Sequence, residues 1–241
     1  MVIRSLAAIC LLVVSMDAIS SPLDQTRSSE GLAMATSFVN ESALNTPIDT
    51  NSITTEIDTS FYRINTTYKA ALNRLEQQAT AIKEYAAVNG FNTGYCFLVD
   101  MSVPSGKNRF FVYNLEKNSL EISSLVAHGF GSTKQNSYAE LEFSNEPNSF
   151  KTSLGKYKIG EAYKGSFGLS YKLYGLDNTN DKAFERTIVL HADAHVPEKE
   201  PFPYYIFQSA GCPTVSPSFL AILTRYIKAS KKPILLWIYY S

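Results

Sequence analysis

The segment that decides the fold runs from residue 95 to residue 127: YCFLVDMSVPSGKNRFFVYNLEKNSLEISSLVA. Tyr95 to Met101 is apolar at almost every position, with Asp100 near its end. A short continuous apolar run of this kind reads as a strand buried on both faces. Pro104-Ser105-Gly106 forms a turn, and Glu116-Lys117-Asn118 forms a second. Arg109 to Leu115 and Ser119 to Ala127 therefore read as two further strands.

The same reading extends outward. Downstream, Gly155 to Tyr163 and Leu169 to Leu176 alternate as strands do, and Arg186 to His191 is short and apolar. Ser218 to Ala229 reads as a helix and Pro233 to Tyr240 as a last buried strand. Upstream, Tyr68, Ala71, Leu72, Leu75, Ala79, Ile82, Tyr85 and Ala86 fall at helical spacing, and Gly90 stops the pattern. This predicts a packing helix over 61–90. Many strands and few helices predict a mainly β sandwich or barrel, with one helix before it and one after Cys212.

The ends differ in character. Residues 1–20 read as a secretory signal: Arg4 is the charged start, Leu6 to Val14 the apolar stretch, and Ala18-Ile19-Ser20 a small-x-small cleavage site. The apolar run is shorter than the ~18–20 residues of a membrane span, and an uncleaved anchor is the alternative. A periplasmic or secreted location follows. Residues 21–60 carry six acids against Arg27 alone, with few aromatics, as expected of a low-complexity leader or tether. The remaining 61–241 forms one domain of catalytic size, with 20 Lys and Arg against 15 Asp and Glu. Formal net charge over the chain is zero, which gives no ground for a nucleic-acid partner. A monomer is expected.

Chemistry concentrates in a few residues. Three histidines are present: His128 ends a strand, His191 ends another, and His195 lies in the loop just after it. Cys212 sits in Ser209-Ala210-Gly211-Cys212-Pro213. A thiol nucleophile needs a base within reach and donors aimed at the developing oxyanion. A strand ending in His holds an imidazole at the sheet rim, and Gly before Cys permits a backbone conformation other residues resist. The Gly211 and Cys212 amides are candidate oxyanion donors. Taken alone, this pattern equally describes a buried, inert Cys near a surface His. Beyond the signal the cysteines are Cys96 and Cys212, so a disulfide between them is a further reading. Zinc needs a compact ligand set, and only the His191 and His195 spacing approaches one; no metal or other cofactor is expected.

Spacing adds to this. Seventeen residues separate His191 from Ser209, and Ala210 precedes Gly211-Cys212. This resembles the L,D-transpeptidase (YkuD-like) signature, in which a His is followed after roughly 14–17 residues by Ser or Thr, then His, Gly and Cys. The resemblance continues through Val99-Asp100-Met101-Ser102, Val126-Ala127-His128-Gly129, Phe143-Ser144-Asn145 and Ser153-Leu154-Gly155-Lys156-Tyr157. Gly168-Leu169-Ser170, Leu173-Tyr174-Gly175-Leu176 and Arg186-Thr187-Ile188-Val189-Leu190-His191 complete the set, which spans about residues 60–241 and looks like the secreted Gram-negative branch. It implies the L,D-transpeptidase β fold, Cys212 as nucleophile and His191 as its base, joined as a thiolate–imidazolium pair. It also implies Ser209 and Gly211 as shapers of the nucleophile loop. His128 is implied on the substrate side, with Ser144, Asn145 and Ser153 as further candidates whose alternative role is turn or cap. Cys96, in an apolar strand, is then a buried, inert thiol.

The departures are Ala210 for the second His, Gln208 where an Arg usually precedes the Ser, and Ala192 where Gly usually follows the His. The implied reaction is acyl transfer from a peptidoglycan stem tetrapeptide to an amine of a neighbouring stem. Capture by water, which makes an L,D-carboxypeptidase, is one alternative; a non-catalytic peptidoglycan-binding envelope protein is another. The segments 130–153 and 197–207 are expected to wall the cleft.

Overall fold

The computed structural model describes residues 59–134 and 137–241. The expected signal over 1–20 lies outside them, as does the leader over 21–60 apart from its last two residues, which open the first helix. Helix α1 (Thr59–Asn89) is followed by β1 (Tyr95–Asp100), β2 (Phe110–Asn114), β3 (Ser119–Ser124), β4 (Thr133–Lys134) and β5 (Ser137–Leu141). Then come β6 (Gly155–Gly165), β7 (Gly168–Gly175), β8 (Val189–Ala192), β9 (Thr214–Val215), α2 (Pro217–Ala229) and β10 (Leu235–Tyr239).

Eight strands form one mixed sheet in the order β3-β2-β1-β10-β6-β7-β8-β9, and β4 and β5 form a separate pair. The sheet curls until its ends meet: past β3, the Ala127 N–H donates to Thr214 O of the opposite edge strand at 2.8 Å. This is the barrel-like, mainly β architecture expected, with one helix before it and one after Cys212.

The apolar run of β1 is explained by burial on both faces. Phe97 and Val99 pack with Val112, Tyr157, Leu173, Leu236, Ile238 and the α2 residues Phe219, Leu220 and Leu223. Cys96 and Leu98 face the other way, against Leu75, Ala79, Ile82 and Ala86 of α1. Each such buried aliphatic side chain stabilises the fold by roughly 1.5–3 kcal/mol. Helix α2 starts where the chain chemistry demands: Pro217 needs no intrahelical partner for its nitrogen, and Ser216 Oγ accepts the Phe219 N–H. At the end of β1 the fully buried Asp100 carboxylate meets Arg74 of α1 at 2.8 Å, clamping helix to sheet.

The Arg186–His191 strand starts later than the sequence suggests, at Val189. Thr187 has φ of 54°, a left-handed conformation incompatible with strand pairing, and Arg186 N–H closes a turn on Lys182 O. Strand β9, unexpected from sequence, has only two residues and directly follows Cys212-Pro213.

Candidate active site

Strand pairing builds the site. Strands β8 and β9 run parallel with His191 opposite Thr214 and Ala192 opposite Val215. Two residues back along each strand, that register sets Val189 beside Cys212, and the Val189 N–H points at Cys212 Sγ at 3.4 Å. The thiol in turn faces Thr187 O at 3.8 Å. Thr187 is β-branched and held at φ 54°, so local strain aims that carbonyl.

Ser209 shapes the loop. Its hydroxyl donates to Cys212 O at 2.6 Å and accepts the Gly211 N–H at 3.1 Å. Gly211 sits at φ 121°, which a side chain rarely tolerates. Because Ser209 takes the Gly211 N–H, that amide is not free to meet an oxyanion as the sequence suggested. The loop is stapled to the segment after β3: Ser209 N–H donates to His128 O and Phe130 N–H to Ser209 O, both at 2.8 Å. A side chain on Gly129 would run into the Phe150 carbonyl and approach Gly211 Cα at 2.8 Å, so this crossing requires glycine.

His191 is tied at both ring nitrogens. Nδ1 lies 3.1 Å from the Ala192 carbonyl, an acceptor only, so Nδ1 carries the proton. Nε2 then accepts from Thr214 Oγ1 at 2.9 Å. The half-exposed Phe167, at the tip of the β6–β7 hairpin, stacks on the imidazole with centroids 4.3 Å apart. Burial pushes the His191 pKa down, offset in part by the Ala192 carbonyl and Asp193. Burial likewise pushes the Cys212 thiol up, offset by the Val189 N–H and the Arg186 guanidinium. At rest both groups are therefore neutral, and no hydrogen bond joins Cys212 to His191 among the described residues. The thiolate–imidazolium pair expected from the resemblance is not the resting arrangement. Ala192, which stands where Gly usually follows the His, offers its carbonyl to the imidazole and packs its side chain against the core.

His128 is buried against Arg109, itself 1% exposed. Arg109 donates twice to Val126 O, once to Val103 O, and through Nη2 to His128 Nδ1 at 2.8 Å. His128 is thereby held neutral with its proton on Nε2, near Thr133 Oγ1 and the Gln208 amide. Burial, then the Arg109 charge, lower its pKa to about 3. Gln208, which stands where an Arg was expected, belongs to this cluster with Thr133.

Of the remaining candidates, Ser153 is buried and bonds Tyr157 and Arg186. Ser144 offers its carbonyl to Arg186 and its hydroxyl to the Glu146 N–H. Asn145 ties Asp181 and the Lys182 amide together. Arg186 thus emerges as a hub beside the nucleophile loop; its place immediately before the strand leading to His191 was the available signal. His195 is exposed and paired with Asp193 in a turn, with Phe207 stacked on it. Cys96 and Cys212 are both free thiols and belong to clusters on opposite faces of the sheet, which excludes the disulfide. Among the described residues no three His, Cys, Asp or Glu side chains converge as a metal site requires. Phe130 and Phe150, both exposed, stack at 4.8 Å on one wall.

Among solved structures the chain is similar to the helical cell shape determining protein Pgp2 from Campylobacter jejuni, at 11% identity and TM-score 0.39, over 61% of this chain and 48% of that one. An L,D-transpeptidase from Xylanimonas cellulosilytica matches at 13% identity and TM-score 0.35, over 65% and 68%. Mycobacterium tuberculosis L,D-transpeptidase 1 matches at 12% identity and TM-score 0.33, over 61% and 62%. The chain thus spans about half the length of the Campylobacter protein. A search of curated proteins gave no match. The profile described as the L,D-transpeptidase catalytic domain matches residues 66–239. With nearly all of the described sheet inside that match, the chain belongs to the L,D-transpeptidase catalytic domain family.

Proposed function

We propose that this chain is a cysteine-dependent peptidoglycan L,D-transpeptidase acting in the periplasm or outside the cell, with Cys212 as nucleophile and His191 as base. The observation that carries this reading is the β8–β9 register. It puts a half-buried thiol beside a strand amide, with a neutral imidazole two residues further on, roughly 7 Å along the strand.

The resting pair is neutral, so deprotonation accompanies attack. Thr214 Oγ1 also lies 3.4 Å from Cys212 O. Turning its hydroxyl to that carbonyl frees His191 Nε2 to accept the thiol proton. Sγ then bonds the carbonyl carbon of the third stem residue, and the oxyanion meets the Cys212 N–H. Collapse breaks the amide bond, and His191 returns the proton to the leaving D-amino acid. An amine of a neighbouring stem attacks the thioester, and the thiol is released. No metal or organic cofactor enters these steps. His128, expected on the substrate side, is buried and braces the nucleophile loop through its carbonyl, which accepts the Ser209 N–H, and Ser144, Asn145 and Ser153 hold the wall through Arg186 and Asp181. Amine capture requires a cleft that limits water; the Phe130–Phe150 stack and the loop over 197–207 supply its apolar rims.

Incubation with tetrapeptide muropeptides followed by mass spectrometry tests this. Cross-linked dimers are expected, lost in Cys212→Ala and retained in Cys96→Ala. Tripeptide without dimer, even at high acceptor concentration, makes the protein an L,D-carboxypeptidase. No product from the folded wild type makes it a binding protein.

A further inference from the structure

Arg186 has an unusual set of partners. Its Nη1 donates to Ser144 O at 2.8 Å and to Ser153 Oγ at 3.0 Å. Its Nη2 donates to Lys151 O at 2.6 Å and to Ser149 Oγ at 3.4 Å. All four acceptors are neutral oxygens, and together they use every proton of the two terminal nitrogens. A fork filled in this way has no terminal N–H left for a substrate carboxylate. Among the described residues no carboxylate cancels its charge by contact either: the nearby Glu146 is paired with Lys182. A guanidinium stays protonated under these conditions, so a full positive charge is fixed here.

That charge lies against the nucleophile loop. Nη2 is 3.5 Å from where a Cβ on Gly211 would stand, and Lys151 O, which it grips, is 3.1 Å from the same point. The groups facing Cys212 are then few. Tyr157 of β6 is a neutral phenol, pushed up to about 12 chiefly by burial. His191 of β8 is neutral and bonded elsewhere. Lys151 sends its ammonium away to Glu142.

We infer that Arg186 is the positioning residue that supplies a fixed positive charge stabilising the Cys212 thiolate as its proton leaves. This rests on Cys212 being the nucleophile. The physical basis is that a thiolate beside a fixed cation is favoured over the thiol, and the neutral oxygen cradle keeps the cation undiminished. The direction agrees with the mutual attraction of the two groups, which pulls the thiol down against its burial.

The test is the pH dependence of iodoacetamide alkylation of the full chain, read at Cys212 by peptide mass spectrometry. In Arg186→Met the midpoint should rise by about one pH unit, a tenfold slower reaction at a fixed pH below it. Because Arg186 also ties the 144–153 segment together, a second variant keeps the guanidinium and cancels its charge. Ser149→Asp sets a carboxylate at Nη2 and should raise the midpoint by a similar amount, whereas Ser149→Asn should not. His191→Gln should leave the midpoint near wild type while abolishing turnover. An unchanged midpoint in Ser149→Asp overturns the inference, whatever Arg186→Met does to folding. An equal rise in Ser149→Asn also overturns it, since loop geometry and not charge would then set the thiol. A wild-type Cys212 that resists alkylation at every pH overturns the nucleophile reading itself, a result distinct from the other two.

Discussion

Acidification should weaken this domain by more than its carboxylates explain, and His128 is the reason. Its imidazole is 3% exposed and accepts a hydrogen bond from a guanidinium that is itself buried. Burial, and then the Arg109 cation that a protonated ring would touch, hold its pKa at about 3, against about 6.5 in the unfolded chain. Between those values the unfolded chain binds a proton that the folded chain refuses. Stability is therefore complete above about pH 6.5 and falls as pH drops through the window. The loss from this one group is about 1 kcal/mol at pH 5.5 and about 3 kcal/mol at pH 4.5. Against a typical total of about 5–15 kcal/mol, that is a large share. Urea unfolding at pH 7.0, 5.5 and 4.5 should be run on the wild type and on His128→Gln, which offers Arg109 a neutral oxygen. His191 has a pKa shifted the same way and titrates in both proteins, so the difference between the two curves isolates His128. Curves parallel to within about 0.5 kcal/mol would refute the argument, because His128 would then not be held neutral by Arg109.

Two further outcomes are expected. Arg74→Met leaves the Asp100 carboxylate buried without its cation and should cost about 3 kcal/mol in urea unfolding, while turnover per folded molecule stays unchanged because α1 packs on the face of β1 opposite the α2 core; a loss under about 1 kcal/mol would mean that Asp100 finds other support. Phe167→Ala removes the ring covering His191, and an NMR titration should show the imidazole pKa climbing back toward its ordinary value, since burial is its main depressant; an unmoved titration would show that the hairpin tip does not shield the base.

Local chemistry made much of this protein legible. The unbroken apolar run of β1 signalled burial on two faces, and the contrast between α1 and α2 contacts shows why alternation was absent there. The helical spacing from Tyr68 onward needed no distant information, and the helix read over Ser218 to Ala229 begins one residue earlier, at Pro217. The site was legible where spacing carries geometry, in His191 and the Ser209 to Cys212 loop. It was not legible where single long side chains reach across the fold. Arg109 immediately precedes the apolar strand β2, and nothing near it announces the His128 contact 19 residues away. Arg186 finds its acceptors 33 to 42 residues earlier in the chain. Strand β9 is set by partners on both sides and not by its two residues. The stacking of Phe167 on His191 depends on where the β6–β7 hairpin tip folds, and nothing local to Phe167 announces it.

The position of β10 governs when the fold can exist at all. It lies between β1 and β6, so it is the seam joining the β1–β3 half of the sheet to the β6–β9 half. Of the eight strands of that sheet it is the last in chain order. A nascent chain lacking Leu235–Tyr239 holds two sheet fragments with unpaired inner edges and a half-built core, and gains cooperativity only when that final strand slots between them. Synthesis order thus acts as a timer: the two halves of the sheet are expected to join only once residue 239 is available. A premature stop that removes Leu235 to Ser241 should leave the two sheet fragments unjoined and open to proteases.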